Sequence, residues 1–221
     1  MKKLDLRKQL KHLYAPSARK VERLDVPALQ FAMIDGVIER GQGPSTSASF
    51  REAIQALYGI AYTLKFASKL RPTNPIDYPV MALEGLWWSD RGASAFTPGR
   101  AWRWTAMILQ PDHITQAMFA RAVEQLAEKR DSPAVRKLRL ERFKEGACIQ
   151  VLHVGPYADE PRTIERMQAF AEENGLVYRG KHHEIYLGDP RRAKPEKLRT
   201  ILRQPVGKAP RRPGRQSGAA P

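Results

Sequence analysis

The stretch Arg179-Gly-Lys-His-His-Glu-Ile-Tyr-Leu-Gly-Asp-Pro190 sets one acid, Glu184, among apolar and aromatic neighbours on what reads as a β-strand. Period-two alternation sends His182, Glu184 and Tyr186 to one face and His183, Ile185 and Leu187 to the other. A carboxylate held against aromatic walls and stripped of water can act as a general base on water, or as the counter-charge of a cationic ligand. Two more aromatic strands lie upstream, Leu83-Glu-Gly-Leu-Trp-Trp88 and Ala101-Trp-Arg-Trp-Thr-Ala-Met-Ile-Leu109. Trp88, Trp104, Tyr157 and Tyr186 can supply walls, with Tyr62 and Phe66 from a helix and His183 beside the acid. A flat polycycle on such walls gains about 25 cal/mol per Å² of apolar surface buried, and about 0.5–1.5 kcal/mol for each stacked ring.

Other chemistries lack their residues. His182 and His183 are adjacent on a strand and point apart, and no third ligand follows at a recognisable spacing, so no metal is expected. Cys148, the single cysteine, excludes an intramolecular disulfide and reads as a small buried hydrophobe. The sequence holds no P-loop, dinucleotide fingerprint or nucleophile elbow, and no cofactor is expected. Glu84 reads as a structural counterpart of Glu184 paired with an arginine, and Arg191-Arg192 as a turn.

These residues need elements to hold them. Val21 to Ile38 has a strand pattern with Pro27 as a bend. After Gly41–Ser47, where Ser47 or Ser49 can cap, Phe50 to Leu70 is a helix with a core stripe of Phe50, Ile54, Leu57, Ala61 and Leu64. Beside that stripe Tyr58, Tyr62 and Phe66 follow at i, i+4 and i+8; taken singly each is read as packing on a sheet, taken together as a stacking row. Strands follow at 79–88 and 101–110, separated by a polar loop from Ser89 to Gly99, then a helix at 115–129. The second half repeats the order. A hairpin is expected at 137–154 around Lys144-Glu-Gly146, a helix at 159–173 stopped by Asn174-Gly175, and strands at 176–187 and 199–206.

Each half thus runs strand, helix, strand, strand. Glu84 and Glu184 fall in the same element, and Met107-Ile-Leu-Gln-Pro111 matches Ile201-Leu-Arg-Gln-Pro205. The fold expected is α+β, a duplicated module with an antiparallel sheet, helices on one side and a ligand cleft between the halves. The pseudo-repeats span about residues 21–130 and 131–206, after a basic N-terminal arm (1–20) and before a disordered basic tail (207–221).

The formal charge of +15 invites a nucleic-acid reading, but +6 of it lies in residues 1–20 and +4 in residues 207–221, leaving +5 on the centre. The termini read as solvated, and nucleic acid is disfavoured as a specific partner. No long apolar run or secretory segment is present, so a cytoplasmic protein is expected, with no membrane and no obligate protein partner.

Val80-Met-Ala-Leu-Glu-Gly-Leu-Trp-Trp88, Trp102-Arg-Trp104 through Gln110-Pro111, His153-Val-Gly-Pro-Tyr157 and Gly180 to Arg192 together resemble the stand-alone GyrI-like small-molecule-binding proteins, over roughly residues 5–206. The resemblance implies the duplicated module with its cleft, and makes Glu184 the match of the glutamate that related multidrug-responsive regulators place there. The helix-turn-helix of those regulators is not expected, for lack of room before the first strand. One stand-alone subfamily hydrolyses the spiro-cyclopropane of flat DNA-alkylating natural products of the yatakemycin and duocarmycin type within an aromatic cage, and the aromatic content here is similar. In that reading Glu184 orients or deprotonates the attacking water while Tyr157 or Tyr62 hydrogen-bonds the ligand carbonyl. A non-catalytic binder or sequestering protein of the same fold remains the alternative.

Overall fold

The computed structural model describes residues 1–89 and 101–209; most of the expected Ser89–Gly99 loop, and the expected tail from residue 210 onward, lie outside the described residues. The first half contains β1 (Lys2–Lys3), α1 (Leu6–Gln9), α2 (Lys11–Tyr14), β2 (Glu22–Ile38), α3 (Ala48–Leu70), β3 (Ile76–Asp77), β4 (Leu83–Trp88), β5 (Trp102–Leu109) and α4 (Gln116–Lys129). The second contains α5 (Pro133–Arg136), β6 (Arg139–Val154), α6 (Glu160–Glu173), β7 (Leu176–Tyr178), β8 (His182–Tyr186) and β9 (Arg199–Lys208).

Six strands close on themselves in the order β6-β2-β5-β4-β8-β9, with β9 pairing back to β6, every pair antiparallel. In this ring β2, β5 and β4 hold the places that β6, β9 and β8 hold in the other half, so the expected duplication is present with its pseudo-two-fold between β4 and β8. Helices α3 and α6 pack on the outer face. Phe50, Leu57, Ile60 and Leu64 anchor α3 over β2 and β5. Met167 and Ala171 anchor α6 over Ile149, Val151, Leu202 and Val206. Ser47 caps α3 by accepting from the Phe50 N–H at 3.3 Å, and Gly175, at φ +63°, follows the end of α6.

The expected 137–154 hairpin does not form. Lys144-Glu-Gly146 continues one sixteen-residue strand, because β2, with seventeen residues, pairs with it from Met33↔Arg139 to Glu22↔Gln150. Pro27, which has no N–H to give, is passed over in that register without ending the strand. Gly146, at φ +76°, breaks the alternation instead of turning the chain, and so Glu145 points inward although Cys148 and Gln150 do as well. The single strand expected at 176–187 divides into β7 and β8 around Gly180, at φ +67°.

The N-terminal arm is built into the domain. Leu13 is fully buried, its carbonyl accepts from Arg203 at 2.7 Å, and the His12 carbonyl accepts from Gln150 at 2.9 Å. Among the described residues no helix is long and apolar enough to cross a membrane.

Candidate small-molecule cleft

Strands β4 and β8 form the floor of a cleft whose walls are α3 and the start of α6. It encloses about 2470 Å³. A compact drug pocket holds roughly 300–1,000 Å³, so this cleft has room for a guest larger than a single small drug.

At its centre Gly85 lies opposite Glu184 in the β4–β8 register. Glu184 is 8% exposed, and its Oε2 accepts the Tyr186 hydroxyl at 2.7 Å. The Tyr186 oxygen in turn accepts from Trp87 Nε1 at 3.0 Å. This relay leaves Oε1 of Glu184 toward the cleft; His182 Nε2 lies 3.5 Å from it, close enough for a charge contact but without hydrogen-bond geometry. Burial and the neighbouring Glu184 hold the Tyr186 phenol well above its ordinary pKa, so it stays a donor. A Cβ on Gly85 would come 2.7 Å from Trp87 Nε1 and 3.2 Å from the Tyr186 hydroxyl. Gly85→Ala is therefore expected to push the Trp87 and Tyr186 rings apart and weaken binding of flat aromatic ligands, with loss of tryptophan fluorescence quenching as the measure; unchanged titrations in the variant would show that the relay does not shape the site.

The second set of groups enters with the turn from β6 into α6. His153 Nε2 donates to the Pro156 carbonyl at 3.2 Å and Nδ1 shares a hydrogen bond with the Thr163 hydroxyl at 2.9 Å, which fastens that turn to the first turns of α6. Tyr157 stands on it, edge-to-face with Tyr186 at 6.0 Å between ring centres. Burial, helped by Glu160 and Glu184, pushes its phenol up to about 12. Glu160 follows, 7% exposed and lining the same cleft. Burial first and the charge of Glu184 second push its carboxyl up to about 9, against the pull of the Thr200 hydroxyl. The site therefore holds two buried carboxyls. Sequence reading found one of them, because Asp159-Glu160-Pro161 looks like a solvated helix start; the signal available was an acid at the first helical position after an aromatic turn.

Of the residues expected around the ligand, Tyr62, Tyr157, Glu184 and Tyr186 line the cleft. Phe66 lies one turn further along α3, in a shallow groove against α4 that Tyr62 also borders. Tyr58, Tyr62 and Phe66 are 36–49% exposed, so the row is not packed on the sheet. Trp104 is 1% exposed and belongs to the core under α3, edge-on to Phe50 at 5.0 Å and so close over Gly36 that a Cβ there would overlap its ring. Trp88 points away from the floor, where Lys181 Nζ sits 3.6 Å from its ring centre. The tryptophans that line the cleft are Trp87 and Trp102.

His183 faces the other way, into the barrel. Its Nε2 donates to Glu84 at 3.0 Å and its Nδ1 to Glu145 at 3.1 Å. Burial alone would lower its pKa, but the two carboxylates more than offset that and raise it to about 9. Arg203 completes the group, reaching Glu145 at 3.4 Å and Gln150 at 3.0 and 3.1 Å. Glu84 thus pairs with His183 and the Tyr14 hydroxyl (2.7 Å), not with an arginine. It faces the opposite side of the sheet from Glu184, since the register sets Glu84 against Ile185; the apparent twin acids are one residue out of step. Among the described residues no group of three or more His, Cys, Asp or Glu side chains could hold a metal ion.

Comparison with known proteins agrees with this architecture. An uncharacterized conserved protein from Listeria innocua superposes with a TM-score of 0.83 at 40% identity, covering 92% of this chain and all of its own. A structure described as a hydrolase from Listeria innocua gives a TM-score of 0.81 at 40% identity, covering 93% of this chain and all of its own. The EcmrR C-terminal domain shares the fold at 10% identity, with a TM-score of 0.52 over 86% of this chain and 98% of its own. No curated protein sequence matches the chain. The family model for the GyrI-like small molecule binding domain matches residues 20–206, and with the duplicated barrel and its cleft in place the chain belongs to the GyrI-like family.

Proposed function

We propose that the cleft binds flat aromatic small molecules and hydrolyses a strained spiro-cyclopropane in them, protecting the cell from DNA-alkylating natural products. The observation that carries this reading is Glu184: a nearly buried carboxylate on an aromatic floor, held by Tyr186 through one oxygen and facing the cleft with the other. A carboxylate fixed in that way can take a proton from water that attacks the cyclopropane carbon, while the ring's electron pair moves toward a conjugated carbonyl. In this reading Tyr157, kept protonated by burial, hydrogen-bonds the oxygen that gains charge. Tyr62 and Tyr157, both well exposed, provide surfaces for stacking, Trp87 and Trp102 border the cleft with little of their rings open to it, and the volume has room for a guest of several fused or linked rings. The hydrolase description of a relative at 40% identity supports a catalytic rather than a purely sequestering role.

The deciding experiment incubates the protein with a cyclopropane-bearing indole and follows the product by mass. Gain of one water with the protein, beyond the spontaneous rate, is the expected result. Stable binding without that product would reduce the function to sequestration.

A further inference from the structure

Residues 1–19 stand outside the family match, which begins at Lys20, yet they reach the cleft. Arg7 and Ala15, both exposed, and Tyr14 line it beside Val80 and Leu83, at the end where β4 begins and β8 stops. The arm crosses the barrel mouth there and is held by contacts from the elements around it. Arg7 Nη2 donates to the Val80 carbonyl at 3.1 Å, and the Tyr14 hydroxyl donates to Glu84 at 2.7 Å. Arg203 and Gln150 donate to the Leu13 and His12 carbonyls at 2.7 and 2.9 Å. Arg166 of α6 donates to the Ala18 and Arg19 carbonyls at 3.2 and 3.0 Å. The arm's own helices, α1 and α2, have four residues each, too few to persist in water unaided, so its order comes from docking. Undocking would strand none of the barrel groups. Glu84 keeps His183 at 3.0 Å, Arg203 keeps Gln150 at 3.0 Å, and Gln150 keeps Glu22 at 2.9 Å.

We propose that the arm is a ligand-contacting wall of the cleft, and that arm and guest hold each other in place. The proposal rests on the reading of the cleft as an aromatic-ligand site. A guest lying against Arg7, Tyr14 and Ala15 has contacts with the docked arm that the released arm does not offer. It therefore locks the arm on the barrel mouth, and by the same free energy release of the arm loosens the guest. The Tyr14 bond seats the arm on the residue next to Gly85, which lies opposite Glu184, so the wall and the acid-bearing floor meet on β4. Recognition of the guest thus extends to residues that precede the GyrI-like domain.

Two measurements on the full chain test this, with acridone, a flat neutral aromatic ketone, as the probe. Cys148 is 1% exposed, so in Ala15→Cys a thiol-reactive nitroxide goes to position 15. That label is expected to quench the fluorescence of bound acridone or to displace it. The same label on Arg121→Cys, an exposed position of α4 outside the cleft, is expected to do neither. Full fluorescence and unchanged affinity with the label at position 15 overturn the contact. The second measurement follows hydrogen exchange of the Leu13, Tyr14 and Ala15 amides, which bond to the Leu10 and Lys11 carbonyls. In Tyr14→Phe, which gives up the bond to Glu84, they are expected to exchange faster than the amides of β5, as a locally opening arm does. Saturating acridone is then expected to slow them by about 5–150-fold, the usual span of a coupling between two sites. Arm amides that exchange no faster than those of β5, or that bound acridone does not slow, overturn the mutual hold. With acridone bound, either failure leaves the aromatic-ligand reading standing. Acridone that does not bind the wild type at all strikes that reading, and the proposal with it.

Discussion

Glu184→Gln is expected to lower turnover of a cyclopropane-bearing substrate by about 10²–10⁴-fold, with little change in the dissociation constant of the same ligand. The split follows from the geometry. The glutamine oxygen can still accept the Tyr186 hydroxyl, which now holds Glu184 Oε2 at 2.7 Å, so the Trp87–Tyr186 relay and the stacking faces stay in place. What disappears is the basic oxygen facing the cleft. Binding driven by burial of aromatic surface does not depend on that oxygen, whereas deprotonation of water does. The measurement is a single-turnover rate beside an equilibrium titration with the unhydrolysed ligand. Equal rates in variant and wild type would assign the ring opening to the aromatic cleft alone and leave Glu184 as a binding residue. A joint loss of rate and affinity would instead point to its charge as part of recognition.

How far the residues alone disclosed this arrangement differs by element. The alternation in His182-His183-Glu184-Ile185-Tyr186 was legible, and β8 does send 182, 184 and 186 to the cleft and 183 and 185 into the barrel. That same alternation already argued against His183 as a ligand contact. The tryptophans were harder. Periodicity groups Trp102 with Trp104 and separates Trp87 from Trp88, but it cannot say which face α3 will cover. Only the packing of Phe50 between Trp87 and Trp104 decides that Trp104 is core and that Trp87 borders the open part of the floor. Glu145 was not legible at all, because its direction depends on the positive φ of Gly146, which the sequence offers equally well as a hairpin turn. Glu160 was hidden for another reason: a helix N-terminus favours acids in any setting, and its burial is a fact of how α6 lies on the outer face of the barrel.

Replacement of His183 by leucine is expected to cost about 3–5 kcal/mol of stability near neutral pH, because it leaves two carboxyls inside the barrel with their shared imidazolium removed. For a domain of this size that corresponds to a fall of roughly 6–20 °C in Tm. Volume is nearly conserved, so the effect is one of charge and hydrogen bonding, and its pH dependence identifies it. The folded His183 is raised from 6.5 to about 9 despite complete burial. Its contribution is therefore fully present below 6.5 and lost as pH rises through about 9. Glu145 has the opposite sign. Burial raises its pKa, but His183 and Arg203 more than offset that and hold it below 4.5, so its contribution is present above 4.5 and lost in acid. Glu160 adds a decline of its own with rising pH, from 4.5 through about 9, which is common to wild type and variant and cancels in their difference. The stability gap between wild type and His183→Leu, measured by urea unfolding across the pH range, should accordingly be widest near neutrality and close from both sides: in alkali as the wild type loses its imidazolium, and in acid as the stranded carboxyls take up protons. A gap that stays constant from neutral to strongly alkaline pH would mean that His183 stabilises the barrel by filling space, and that the charges around it contribute nothing.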